Sequence, residues 1–505
     1  MNQLAYPATG YQPVAAAPRD TRMRAVLLVA VALSALYTAQ VVIDMLRPAS
    51  LGEEAHALVG WLNPPLSGSP YPSFGWYKVS FWCYVVSLPV AAVICLVGRQ
   101  RGQTLPDPAV RARWTWRWQA SAAIVLLLPY PVWLLDMTAG GLGALLICLP
   151  STGYALWGVH RMQRFGRLPV WLLLAVAGWG AVVGGGFGGS MNQWWLDYAN
   201  SFFSPTMADI TANPLGALAQ AKHDVATGNW VSAGVFEEIG KGTGVAIVYF
   251  LLRDRIDNVV SGIVLGAASG LGFNLLETAQ YMSSHNGASA STQYFLRQSL
   301  GLMAAHTAFT AAIGAGFGIA RQLRDRRARV RAIGCGFAVA ISGHFANDVF
   351  IAYVSRHKAE WFAPSSTVDM LVLTPLTFLL LQGPMVVLYL LLLRRGLKDQ
   401  AAGLAVELRA EAATGAGAIT AGEVPVLLRP PRRFYLRLKA LRTNGFTGYQ
   451  NLGRLYAAQL RLGMARWHRA RGETDPSAPA EQTLRDEVLR LKHRHYATAP
   501  YRVAS

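Results

Sequence analysis

Charge is scarce in this sequence. Only 14% of its 505 residues are Asp, Glu, Lys or Arg, and just 27 are acidic. A soluble domain carries about 25% charged residues, so a chain that is also 53% hydrophobic is expected to be an integral membrane protein. Cysteine is scarcer still: Cys83, Cys95, Cys148 and Cys335 each sit in an apolar run, without the close spacing of a zinc site. They read as small hydrophobes and leave the redox compartment open. A cleavable signal peptide is also missing. Met1–Asp20, rich in Pro, Ala and Tyr, reads as a disordered leader, and the apolar run near 25–46 is too long for a signal core, so it is expected to stay as an anchor.

What the chain does have is positive charge. Of its 46 Lys and Arg residues, twenty follow Leu393, against nine acidic residues there. A basic surface facing anionic lipid explains this pI better than nucleic-acid binding, for which no recognised motif accompanies the charge.

A helix needs about 20 apolar residues to cross a bilayer. By that measure the fold is an all-α polytopic membrane bundle of about ten transmembrane helices, near 25–46, 78–98, 119–137, 139–159, 168–189, 234–252, 259–283, 299–320, 332–354 and 368–393. The third and fourth are expected to form a tight hairpin around Asp136–Gly141. The glycine run at 184–189 reads as close helix packing. Arginine-rich connections at 99–117, 161–167, 253–255 and 321–331 alternate with poorer ones, which places both termini in the cytoplasm of a multi-pass cell-membrane protein.

Four consecutive spans carry ionisable residues, each costing roughly 2.5–3.5 kcal/mol in hydrocarbon. They are Glu237, Glu238 and Lys241; Phe273, Asn274 and Glu277; His306 and Thr310; and His344 and Asp348. With about 1.5 Å of rise per residue, all fall at overlapping depths in the outer half of the bilayer. The i, i+4 rule pairs Glu237 with Lys241, Phe273 with Glu277 and His344 with Asp348 on shared faces. Gly262, Gly266 and Gly270, and Gly314 and Gly318, form small-residue stripes that let backbones approach. Taken singly, each polar group reads as a helix-start ion pair, a snorkelling carboxylate or a hydrogen-bonded imidazole; at matched depth on inward faces they read as one site.

That set suits hydrolysis of an amide, which needs an activated water, a proton shuttle and an oxyanion stabiliser. Glu237 and Glu238 point about 100° apart on a helix, so one is expected to face the centre and the other to pair with Lys241. A Glu base and one imidazole would hold the water, while the second imidazole donates to the oxyanion; this needs no cofactor. Alternatively His306, His344 and a carboxylate would ligate zinc. The residues alone leave both open. Arg297 reads as an interfacial anchor.

The ordered series Glu237-Glu238-x-x-Lys241, Phe273-x-x-x-Glu277, His306 on a glycine-striped helix and His344-x-x-x-Asp348 resembles the PrsW family of membrane-embedded proteases, which is similar to the type II CAAX prenyl proteases. The resemblance covers roughly 234–354. It implies peptide-bond hydrolysis on membrane-bound substrates such as anti-sigma factors, at the extracytoplasmic side, with Glu237, Glu238, Glu277, His306, His344 and Asp348 catalytic and Lys241, Phe273, Asn274 and Thr310 supporting. Relatives often have Glu-Asn where this chain has Glu277-Thr278. The competing readings are a proton-coupled transporter and a catalytically inactive scaffold.

The expected organisation is a leader at 1–21, a five-helix transmembrane region at 22–190, an outer interfacial loop at 191–233, a PrsW-like core at 234–354, a final span with flanks at 355–396 and a cytoplasmic helical tail at 397–505. Trp194, Trp195, Tyr198, Phe202 and Phe203 suggest headgroup anchoring of the outer loop. The tail is expected to open with a flexible Ala/Gly/Thr segment and, after helices near 449–471 and 480–495 joined by the Asp475–Pro479 linker, to lie on anionic lipid or dock a partner.

Overall fold

The computed structural model describes residues 19–46, 76–203, 205, 207–284, 289–362, 365–472 and 479–498. The expected leader (through residue 18) and most of the Asp475–Pro479 linker lie outside them. The described chain is helical, without a strand. Its helices are α1 (Arg19–Met45), α2 (Trp76–Thr104), α3 (Pro108–Leu127), α4 (Pro129–Met162), α5 (Val170–Trp179), α6 (Gly185–Phe202), α7 (Met207–Ala212), α8 (Pro214–Ser232), α9 (Glu238–Leu251), α10 (Val259–Ser284), α11 (Ala290–Tyr294), α12 (His306–Gln322), α13 (Arg326–Phe362), α14 (Ser366–Val368), α15 (Thr374–Ala413), α16 (Val424–Leu427), α17 (Pro430–Ala470) and α18 (Glu481–Thr498). Four π-helical turns interrupt them, at Gly180–Gly184, Ala233–Glu237, Phe295–Leu300 and Asp369–Leu373.

Among the described residues, seven helices are long and apolar enough to cross a membrane. The three further expected spans fall on α3, α9 and α12, and each departs for a physical reason. The first half of α3 carries Arg111, Arg113 and Arg117. Helices α9 and α12 have 14 and 17 residues, short against the roughly 30 Å hydrocarbon core at about 1.5 Å per residue. Nearly every residue of α12 is buried, so neighbouring helices sheathe it.

The expected hairpin at 136–141 is absent: Pro129–Met162 is one helix. The break comes earlier, at Leu128, where Pro129 and Pro131 have no N–H to extend the ladder. The glycine-run span does not end at 189 but continues through a π turn into α6. The region expected as an interfacial loop is therefore largely helical, and Trp194 is not an interfacial anchor. It is fully buried, donates to Tyr37 Oη at 2.9 Å and packs with Phe81, Phe187 and Met191. Nor does the chain loosen after Leu393, since the Ala-, Leu- and Glu-rich stretch keeps α15 helical to Ala413.

By internal contacts the chain divides into two units. Of the described residues, one unit takes those within 19–161 and 169–392 and the other those within 162–168 and 393–498. In the first, α10 and α12 meet backbone to backbone. A Cβ on Gly262 would lie 2.1 Å from Gly314 O, one on Gly266 2.2 Å from Thr310 O, and one on Gly270 2.3 Å from His306 O. The 184–189 run packs likewise: a Cβ on Gly186 would lie 2.3 Å from Tyr130 O, and Gly188 abuts Glu237. In the second unit, Leu404 and Leu408 of α15 share a core with Leu427, Leu462, Trp467 and Val488. The buried Glu411 accepts from Arg485 at 2.7 and 2.9 Å and from Arg466 at 3.1 Å.

Candidate active site

The first motif is shaped by the π turn Ala233–Glu237, which ends where α9 begins. A π turn widens the helix locally and re-aims the side chains that follow. Both glutamates reach one ammonium, since positions three and four residues apart share a helix face: Lys241 Nζ lies 2.6 Å from Glu238 Oε1 and 3.6 Å from Glu237 Oε2. The expectation that only one glutamate faces the centre is thus corrected. The two differ instead in how fully they are satisfied. Glu238 is wholly buried and also accepts from Thr310 Oγ1 at 2.9 Å and His344 Nδ1 at 3.1 Å. Glu237 Oε1 accepts from Asn192 Nδ2 at 2.9 Å, while its buried Oε2 has no hydrogen-bond partner among the described residues.

His306 does not sit two turns into a span, as expected, but opens α12, after a non-helical stretch around Gly301–Ala305. Its Nδ1 lies 3.0 Å from Lys241 Nζ. An ammonium only donates, so Nδ1 accepts and the ring proton is assigned to Nε2, which donates to Glu277 Oε2 at 2.5 Å. Glu277 accepts in addition from Arg297 at 2.8 Å, and that guanidinium lies over Tyr281, 3.8 Å from the ring centroid. Arg297 is therefore a member of the cluster, not an interfacial anchor. Phe273 forms an apolar wall, with Lys241 Nζ 4.1 Å and His306 4.9 Å from its ring centroid. Asn274 works one step back, donating to Arg297 O at 3.3 Å.

His344, on α13, stacks on Phe309 with 5.2 Å between centroids. Its Nδ1 donates to Glu238. That leaves Nε2 facing Glu237 Oε2 at 3.7 Å and Asp348 Oδ2 at 3.6 Å. Asp348 accepts from Asn347 at 3.0 Å, and Gln382 donates to Asn347 at 3.0 Å. All six residues expected from sequence to be catalytic thus join one cluster through contacts of 3.7 Å or less. Sequence reasoning missed Asn192 and Ser232, whose Oγ donates to Asn192 Oδ1 at 2.8 Å. An Asn one turn past the glycine run was the available signal.

Whether the residues suit a metal can be tested on the donor atoms. Atoms of Glu237, His306 and His344 lie within 4.8 Å of one another, and His344 donates Nδ1–H to the Glu238 carboxylate while Nε2 stays free, as in metal-bound histidines. However, both nitrogens of His306 are already engaged, and Lys241 Nζ stands 3.0 Å from one prospective ligand atom and 3.6 Å from another. A dication there would meet an ammonium at short range in a low-dielectric interior. The arrangement as it stands does not fit a three-ligand metal.

Replacing Arg297 by Gln removes the fixed donor that holds Glu277, and so His306. The expected result is a fall in kcat of up to about 10²-fold, the scale of a misplaced catalytic group, with KM little changed and partial recovery in Arg297→Lys. Unaltered kcat would remove Arg297 from the site.

Fold and site together define a multi-pass helical membrane protein with a carboxylate–imidazole centre enclosed by its helices. Residues 168–380 match the model of the PrsW family intramembrane metalloprotease, so this part of the chain is similar to that family of intramembrane proteases. The match begins just before α5, so the glycine-run helices and Asn192 lie inside the matched residues, which extend beyond the 234–354 covered by the sequence motifs. Comparison with curated proteins gave no match, and comparison with solved structures gave none either.

Proposed function

We propose that the chain hydrolyses a peptide bond of membrane-associated protein substrates with a glutamate-activated water, Glu237 acting as the base. The observation that carries this is the asymmetry between the two glutamates: Glu238 is saturated by Lys241, Thr310 and His344, whereas Glu237 Oε2 has no hydrogen-bond partner among the described residues and only longer contacts, to Lys241 Nζ at 3.6 Å and His344 Nε2 at 3.7 Å. A water beside that edge can donate to Oε2 and to the free nitrogen at once. As water oxygen bonds to the carbonyl carbon, its proton passes to Glu237. The resulting oxyanion is met by positive charge from Lys241, which His306 positions. Glu237 then returns the proton to the leaving nitrogen as the C–N bond breaks. Glu277 and Arg297 orient His306, and Asp348 flanks His344.

Entry is assigned to the side where Glu277, Asp348 and Arg297 are partly exposed, since Glu238 and Lys241 are not. The alternation of arginine-rich loops supports reading that side as the outer leaflet.

Reconstituted protein, incubated with a panel of single-span membrane proteins tagged at both ends, is expected to cleave one or more of them. The Glu237→Gln, Glu238→Gln double variant is expected to cleave none. Proton flux that needs these residues without any cleavage would replace the protease reading with a transporter. Chelator is expected to leave cleavage intact, with well under one zinc per chain. Stoichiometric zinc, lost together with activity on chelation, would overturn the water-only mechanism while sparing the peptidase assignment.

A further inference from the structure

The first limb of α17 carries a surface that the protease reading does not use. The helix is broken at Asn444 and at Gly445, which has φ +63° and ψ −166°. The limb before the break, 430–443, has three distinct faces at helical spacing. Arg433, Arg437 and Ala440 face inward: Arg433 donates to Leu427 O and Arg164 O, and Arg437 lies over Tyr449 at 4.0 Å. Arg432, Tyr435, Lys439 and Arg442 form a second line, at steps of three and four. Phe434, Leu438 and Leu441 form a third beside it. Phe434 is 52% exposed, Tyr435 65% and, just past the break, Phe446 65%. No acidic side chain pairs with Arg432, Lys439 or Arg442 among the described residues. The cations of this limb are thus sorted: Arg433 and Arg437, facing inward, are bonded, while exposed Arg432, Lys439 and Arg442 stand beside exposed aromatic rings.

A second observation lies at the start of the same limb. A cavity of about 590 Å³, walled by Ala412, Val424 and Leu428 among others, has Arg409 and Arg429 on its lining. Neither guanidinium is paired with a carboxylate among the described residues.

Exposed aromatics interleaved with unpaired cations fit a surface that is both anionic and able to accept rings, which is the interface of a bilayer containing anionic lipid. The limb also follows, in the chain, a helix apolar enough to span a membrane. We propose that the 430–446 limb docks on the anionic lipid of a bilayer through Arg432, Lys439 and Arg442, with Phe434, Tyr435 and Phe446 entering the interface. This is independent of the proteolytic reading.

The test uses the full chain in nanodiscs, with an environment-sensitive fluorophore on Phe446→Cys in a background without the four native cysteines. Acyl-brominated phosphatidylglycerol in the bilayer is expected to quench the probe, and brominated phosphatidylcholine alone is not. The Arg432→Gln, Lys439→Gln, Arg442→Gln triple variant is expected to lower the docked-to-free ratio about 10²-fold, from roughly a unit of lipid attraction per cation. Inorganic phosphate at equal concentration is expected not to release the limb. Equal quenching in pure phosphatidylcholine, release by phosphate, or no quenching in either bilayer would each overturn the proposal. Unchanged circular dichroism in the triple variant separates lost docking from lost folding; Arg432, Lys439 and Arg442 are exposed and none pairs with a carboxylate among the described residues, so folding is expected to be unchanged.

Discussion

Glu237→Gln is expected to lower peptide cleavage by about 10³-fold or more, the range for removing a positioned general base, while the protein still folds. The substitution keeps the side-chain volume and the Asn192 contact, and replaces only the oxygen that has no hydrogen-bond partner and lies 3.6 Å from Lys241 and 3.7 Å from His344. Glu238→Gln is expected to behave differently. Lys241 is fully buried and its closest carboxylate is Glu238, at 2.6 Å. Breaking a buried pair on one side costs about 3–5 kcal/mol because the remaining charge is stranded, so this variant should lose thermal stability along with activity. Rates and melting temperatures of both variants, measured on the same detergent-purified samples, separate the roles. Wild-type rates in Glu237→Gln, or equal destabilisation of both, would dismiss the division of labour proposed for the pair.

The second large effect concerns the backbone contact behind the site. Gly266→Val would place a Cβ 2.2 Å from Thr310 O, and no rotamer of a neighbour can relieve a clash with backbone. Helices α10 and α12 would have to separate, carrying Thr310 away from Glu238. Overpacking of this kind costs about 3 kcal/mol or more, and most of the protein should be lost as aggregate on detergent extraction, as followed by size-exclusion chromatography. Gly158→Ala is the control: no atom lies within 4 Å of a Cβ there, and the variant should extract like the parent. A stable, active Gly266→Val protein would show that the two backbones do not need this spacing.

The residues of the candidate site were largely legible in the sequence, because a charged group in an apolar span is rare and period 3.6 says which of them share a face. The glycine stripes were legible for the same reason. What periodicity cannot register is an interruption of itself. The extra residue at Ala233–Glu237 is invisible in a hydrophobic pattern, yet it sets how the chain before Glu237 is turned relative to α9. The break before His306 moved the helix start, and with it Arg297 from an apparent anchor to a partner of Glu277. The hairpin expected at 136–141 came from treating apolar length as the only cue, when Pro129 and Pro131 were the stronger one.

The π turns also carry a consequence for how such a centre arises and is lost. Relative to an ordinary helix, each amounts to one inserted residue, a single codon. Removing one codon within 233–236 would restore regular winding and rotate everything before it by about 100° relative to α9, taking Asn192's contact and the orientation of Glu237 with it while leaving every apolar span long enough to insert. Ancestry of this cluster is therefore best sought in helices that differ by single-residue gaps, and a relative lacking the gap residue would be a folded bundle with its chemistry switched off.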